Sequence, residues 1–276
     1  MTSFLGKSVI VTGSSSGIGL ATAVMFASRG ANVTVCGRDA ARVQSAVSAC
    51  EEAERSAGHE IKVISVRGDI TDRRVLKETV DTTLKSFGDR LDVVVANHGV
   101  ILREGTGCLE TWTEQCFHST MTANVASVMA LIQEAAPHLE KTRGNVVCVS
   151  SLGSQQALLL STSYLMSKAA LDHAVRCLAL QLGPKGIRIN CVNPTYVSSR
   201  VLRDINQPGE DLGSIIGRAY ARETPLQGQV SGPEEQAEVI LFLASDAARL
   251  VHGQCLVVDG GIGLKGLPNN YPALMA

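Results

Sequence analysis

Seven short runs of apolar, largely β-branched residues are spaced along the chain, near 8–12, 32–36, 61–66, 91–96, 144–150, 187–193 and 254–258. Between them lie stretches of helical composition, near 17–29, 39–57, 72–87, 112–139, 162–182 and 233–245. The strand runs are apolar along their whole length, the pattern of strands buried on both faces. Such strands, separated by helices, form a parallel sheet with helices packed on each side. The expectation is one doubly wound α/β domain over residues 1–276, with a seven-stranded parallel sheet. Its ligand crevice should lie at the carboxyl ends of the strands. One irregular stretch, 194–232, carries Pro208, Gly209, Pro225 and Gly232 around a short apolar-periodic piece. A loop of that length leaving the crevice edge reads as a lid over a substrate.

The first strand run, Ser8–Thr12, leads directly into Gly13-Ser-Ser-Ser-Gly17-Ile-Gly19 and then a helix. Strand, glycine turn, helix is the context that a dinucleotide-phosphate loop requires. Glycine permits the tight turn, and the helix N-terminus offers unbonded N–H groups and partial positive charge to phosphate oxygens. A plain structural turn is the alternative.

Tyr164 and Lys168 stand four residues apart, so both side chains leave the same face of a helix. A phenol has a pKa of about 10. A neighbouring ammonium favours the phenolate and brings that pKa toward the range where it can exchange a proton. Ser151 ends the apolar run that begins at Asn145, from where it can return to the same point.

The chain balances 25 basic against 26 acidic residues without clustering either sign. That argues against nucleic acid or an anionic membrane surface as a partner. No apolar run is long enough to span a bilayer. Eight cysteines occur without a Cys-x-x-Cys, and six histidines without ligand spacing, so no metal site is expected. Scattered thiols suit a reducing compartment. The first strand begins almost at once and the tail carries no retention or peroxisomal address, so the expected location is cytoplasmic.

In order and spacing, these features resemble the short-chain dehydrogenase/reductase family, whose fold is Rossmann-like. Thr12–Gly19 matches its T-G-x-x-x-G-x-G, and Gly68-Asp69-Ile70 its acidic residue after the third strand. Asn124, Ser151, Tyr164 and Lys168 match its catalytic set. Asn190–Pro194 and Val258–Gly261 match its segments near the sixth and last strands, and the match runs from about residue 5 to 262.

The resemblance implies hydride transfer between a nicotinamide and a small-molecule carbonyl or secondary alcohol. Tyr164 would exchange the proton and Ser151 would hold the carbonyl oxygen. Lys168 would bind the nicotinamide ribose, and Asn124 would anchor a proton-relay water. The implied cofactor contacts are Gly13, Ser15, Ser16, Gly17, Ile18 and Gly19 of the loop. Beyond it come Arg38, Asp69, Ile70, Asn97, Gly99, Tyr164, Lys168, Pro194, Val197 and Ser199. The substrate stays open among 3-oxoacyl thioesters, dicarbonyls or sugars, and steroid-like ketones. A non-catalytic nucleotide-binding scaffold or sensor is the alternative function.

Gly37 stands where an acid would grip the ribose 2′-OH of NAD, and Arg38 follows it. Arg38 can meet a 2′-phosphate, so NADP(H) is favoured over NAD(H). Otherwise Arg38 is a solvated turn residue and Asp39 caps the next helix. Two departures from the family pattern are His98, in place of a small residue, and Thr195, in place of glycine. His98 either packs internally or touches substrate. Val125, Val128, Leu131, Leu171, Val175 and Leu178 spread around two helices, and with the resemblance they suggest a homodimer or homotetramer.

Overall fold

The computed structural model describes residues 3–102, 109–157, 161–197, 212–226 and 230–265. Its strands are β1 (Ser8–Val11), β2 (Asn32–Gly37), β3 (Val63–Arg67), β4 (Val93–Ala96), β5 (Asn145–Val149), β6 (Arg188–Pro194) and β7 (Cys255–Val258). They form one seven-stranded sheet in the order β3-β2-β1-β4-β5-β6-β7. Every pairing is parallel. The chain winds outward from β1 to β3, then crosses back to lay β4 on the other side of β1. The switch point between β1 and β4 opens the crevice at the strands' carboxyl ends.

The helices are α1 (Gly17–Ser28), α2 (Ala40–Ala57), α3 (Arg73–Ser86), α4 (Glu114–Met121) and α5 (Ser127–Thr142). They continue with α6 (Thr162–Leu182), α7 (Leu212–Glu223), α8 (Pro233–Ala244) and the short α9 (Ile262–Lys265). Alternate strand residues feed two cores, as the two-residue strand period requires. Val9, Val11, Val147 and Val149 pack with α1, α2 and α8 residues such as Phe26, Val47 and Leu241. Ile10, Val146, Cys148 and Cys191 face the other way, against Leu76, Leu131, Leu171 and Val175 of α3, α5 and α6. Each fully buried aliphatic side chain contributes about 1.5–3 kcal/mol, and both faces of the sheet collect it.

Two expectations change here. The helix expected over 112–139 is broken: α4 ends at Met121, a π turn covers Thr122–Ala126, and α5 restarts at Ser127. Val128, Leu131, Leu171 and Val175 lie in the core of a single chain, all 1 % exposed or less. Their spread around the helices reflects burial between sheet and neighbouring helices, so it does not by itself call for a second subunit. Among the described residues, no helix is long and apolar enough to cross a membrane.

Candidate functional site

A cleft of about 650 Å³ opens at the carboxyl edge of the sheet. The glycine loop forms one wall. Asn97 pins it, its Nδ2 donating to the carbonyls of Thr12 (3.0 Å) and Gly13 (3.2 Å). A Cβ on Gly19 would collide with the Gly13 carbonyl and with Asn97, so only glycine fits there. Asp39, Asp72, Thr113 and Ser161 each cap their helices with a side-chain oxygen. Ser16, at the N-terminus of α1, makes no such bond. The first N–H groups of α1 are thus left without a side-chain cap beside the cleft, a donor set that fits a pyrophosphate. Gly13, Ser15, Ser16, Gly17 and Ile18 line the cleft, and Gly19 packs just behind them.

The adenosine end holds Arg38, Asp69 and Ile70. Arg38 Nη1 stands 3.7 Å from Asp69 Oδ2, with both side chains about half exposed. Such a pair is worth about 0–1 kcal/mol, so Arg38 is free to turn to another anion. Asp69 also accepts from the Thr71 N–H (2.9 Å) and hydroxyl (2.8 Å). These bonds are the main reason its pKa falls below the usual carboxylate value. Asp39 accepts from the Arg42 N–H at 2.9 Å and so caps α2. Arg42 lines the same end, and its buried Nε has no hydrogen-bond partner. The sequence reading missed Arg42; its signal was a second basic residue in the first turn after Gly37.

At the other end Ser151, Tyr164 and Lys168 converge on the cleft. Ser161 caps α6 through the Tyr164 N–H, fixing where that helix begins. The Lys168 ammonium lies 5.7 Å from the centroid of the Tyr164 ring. It donates to the Val149 carbonyl at 2.8 Å, while the Ser150 hydroxyl donates to the Lys168 carbonyl at 3.3 Å. Lys168 is therefore tied to the end of β5 through both its side chain and its backbone.

The protonation balance differs from the expectation that Lys168 lowers Tyr164. Burial raises the Tyr164 pKa, and the nearby Ser151 hydroxyl pulls against it. The ammonium lies 5.7 Å from the ring centroid, and its own pKa is pushed down to about 8 by burial. Cys191, Cys148 and Asp172 oppose that fall.

Asn124 is fully buried and stands behind the cleft wall. Its Nδ2 donates to the Val100 carbonyl (3.0 Å) and Ser167 Oγ (2.9 Å), and its Oδ1 accepts from the Val100 N–H (2.8 Å). The π turn rotates Asn124 out of the regular helical register, and such turns recur at functional sites. A Cβ on Gly99 would lie 3.2 Å from Asn124 Oδ1 and 3.4 Å from Lys168 Nζ, so Gly99 leaves the room these groups use.

His98 is an internal strut. Nδ1 is 2.7 Å from Thr12 Oγ1 and Nε2 is 2.8 Å from Ser127 Oγ. Both hydroxyls also reach backbone carbonyls, Thr12 that of Val95 at 3.2 Å and Ser127 that of Ala123 at 2.7 Å, and a neutral ring donates from one nitrogen and accepts at the other. Burial drives the His98 pKa down to about 3, which keeps the ring neutral. Pro194 and Val197 reach the cleft, as does Thr195, whose buried Oγ1 has no partner. Ser199, Pro208 and Gly209 lie outside the described residues.

A family model described as enoyl-(acyl carrier protein) reductase matches residues 13–263. The chain is 33% identical over 269 residues to L-fucose dehydrogenase of Mus musculus, covering 96% of this chain and 91% of that one. It is 34% identical over 262 residues to the 3-oxoacyl-[acyl-carrier-protein] reductase FabG of Thermotoga maritima, covering 93% and 98%. A cofactor-bound short-chain dehydrogenase/reductase from Caenorhabditis elegans superposes with a TM-score of 0.84 at 33% identity, covering 95% and 96%. The chain belongs to the short-chain dehydrogenase/reductase family, and it is an NAD(P)-dependent oxidoreductase that interconverts a carbonyl and an alcohol.

Proposed function

We propose that this protein reduces a ketone to a secondary alcohol with NADPH, and runs the reverse with NADP+, using Tyr164 as the general acid/base. The observation that carries the reading is the convergence of Ser151, Tyr164 and Lys168 on one cleft, with the Lys168 ammonium 5.7 Å from the centroid of the Tyr164 ring. The bound nicotinamide supplies or accepts the hydride. The chain's own residues position the carbonyl and manage one proton. The Ser151 hydroxyl donates to the carbonyl oxygen and keeps it beside the phenol. Tyr164 gives its proton to that oxygen as negative charge develops there. A phenol held protonated by burial is suited to this direction, because it retains its proton until the oxygen becomes basic.

Lys168 holds the nicotinamide ribose hydroxyls and remains mostly protonated at pH 7, since its pKa is about 8. Asn124 keeps the π turn and the Val100 backbone in place behind it, at the start of a proton path to solvent. Arg38 and Arg42 meet the 2′-phosphate of NADP(H), since both line this end of the cleft and no acid stands at Gly37 to grip the 2′-OH of NAD(H).

Ile101, Leu152, Tyr164, Ile216, Tyr220 and Ile262 form one apolar cluster. Ile216 and Tyr220 belong to α7, inside the 194–232 stretch, and the Tyr196 hydroxyl donates to the Gly213 carbonyl at 2.7 Å. This supports α7 as the anchored part of a substrate lid beside Tyr164. It also favours a substrate with an apolar body next to its carbonyl. The exposed Met166 and Leu180 on α6 support assembly into a dimer or tetramer through that helix. Lack of any carbonyl-dependent NADPH oxidation across a panel of apolar ketones, 3-oxoacyl thioesters and sugars would contradict this reading.

A further inference from the structure

Three thiols lie side by side on the face of the sheet that α6 covers. Register pairs Cys148 with Cys191 across β5 and β6, and Cys191 with Cys255 across β6 and β7. Parallel in-register neighbours send their side chains to the same face. There they meet Asp172, one helical turn beyond Lys168 on α6. The Sγ atoms of Cys191 and Cys255 and a carboxylate oxygen of Asp172 all lie within 4.8 Å of one another.

Asp172 is 2% exposed. Its Oδ2 accepts from Ser154 Oγ at 2.6 Å and from Asn193 Nδ2 at 2.7 Å. Its Oδ1 is buried and has no hydrogen-bond partner. Leaving a buried carboxylate oxygen unsatisfied is costly, and such an atom calls for a ligand. The Cys255 thiol donates to the Asp172 backbone carbonyl at 3.7 Å, which already holds β7 against α6 at this point.

We propose that Asp172, Cys191 and Cys255 bind one borderline-soft divalent cation of the Zn2+ class, clamping β6 and β7 to α6. Two sulfurs and a carboxylate are a donor set that selects such ions over Mg2+ or Ca2+. Metal–sulfur bonds of about 2.3 Å hold two ligand atoms no more than about 4.6 Å apart. In a tetrahedral site they stand nearer about 3.7 Å apart, so side-chain shifts of about an ångström close the set. The charges also balance: two thiolates and one carboxylate exceed the dication by one negative charge, and the Lys168 ammonium supplies the compensating positive one. The half-buried Cys255 gives the ion a way in, and a fourth position stays open to water. The clamp would fix the helix that carries Tyr164 and Lys168 from beneath. It is separate from the cleft, since none of the three ligands lines it.

Cobalt(II) tests this in the full chain, reduced, stripped with a chelator and desalted under anaerobic conditions. One equivalent should bind, with a thiolate-to-cobalt charge-transfer band and the visible bands of a tetrahedral site, and Zn2+ should displace it. Cys255→Ser, at a half-buried position the fold tolerates, should weaken binding at least tenfold. Asp172→Asn should weaken it as well while retaining a side chain of the same shape. Cys177→Ser, at an exposed cysteine on α6, should bind as the parent does. Circular dichroism confirms that each variant is folded. No cobalt band, a band insensitive to Cys255→Ser, or one lost in Cys177→Ser would overturn the proposal. So would peptide mapping that finds a Cys191–Cys255 disulfide in the folded protein as purified, before any reduction.

Discussion

Asn124 clasps Val100 through both ends of its carboxamide, accepting from the N–H at 2.8 Å and donating to the carbonyl at 3.0 Å. That pair of bonds ties the π turn to the segment following β4. It sets the spacing between Gly99 and Lys168.

Asn124→Ala removes these bonds and strands the Val100 N–H. We expect a stability loss of about 1–3 kcal/mol in urea unfolding. Turnover should fall more steeply than cofactor affinity, because the loss lies behind Lys168 rather than at the phosphate loop. A variant of parental stability would show that solvent replaces the carboxamide.

His98 gives a pH signature. In the unfolded chain it titrates near 6.5, and in the fold it is pushed down to about 3. The unfolded state binds the extra proton between those values, so this contribution is complete above about pH 6.5 and is lost as pH falls toward 3. His98→Ala should flatten that slope. It should also cost about 1–3 kcal/mol at pH 7, because the Thr12 and Ser127 hydroxyls lose a buried partner. Urea unfolding measured between about pH 4 and 7 checks both effects. An unchanged slope would assign it to carboxylates instead.

The strands were legible because their runs are apolar on both faces, and Val146 and Val147 fill opposite cores as that pattern implies. The glycine turn and the shared helix face of Tyr164 and Lys168 follow from local spacing, whereas Ser151 and Asn124 entered through the family resemblance, because only the tertiary fold brings them near. The π turn was not, since one extra residue in a helix leaves almost no trace in apolar periodicity. Val128 and Leu131 misled for a related reason: burial against a sheet and burial against a partner chain select the same residues. The group of Asp172, Cys191 and Cys255 was invisible to ligand spacing, because it comes from α6, β6 and β7 and forms only through sheet register.

The proposed choice of NADP(H) is tested at Arg38 and Arg42. Arg38→Asp removes a charge-assisted contact of about 1.5–3 kcal/mol and adds a repulsive carboxylate. The ratio of kcat/KM for NADPH over NADH should fall at least tenfold. Arg42→Ala should move it in the same direction by less. A constant ratio in both variants would mean that neither guanidinium meets the 2′-phosphate.

Assembly through α6 is tested at its exposed stripe. Leu180 is 82% exposed, so Leu180→Glu should leave the fold intact while lowering the mass seen by light scattering from dimer or tetramer to monomer. Val128→Glu would instead bury a charge in the core and unfold the chain. A parental protein that is already monomeric at micromolar concentration would rule out assembly through this face.

Tyr164→Phe tests the central claim most directly. The ring keeps its place against Ile216 and Tyr220, and only the hydroxyl with its transferable proton is lost. Carbonyl-dependent NADPH oxidation should drop by about a thousandfold or more, given what general acid catalysis contributes. NADPH affinity, read by fluorescence titration, should stay within a few-fold of the parent. Turnover within tenfold of the parent would contradict the assignment of Tyr164 as the proton donor.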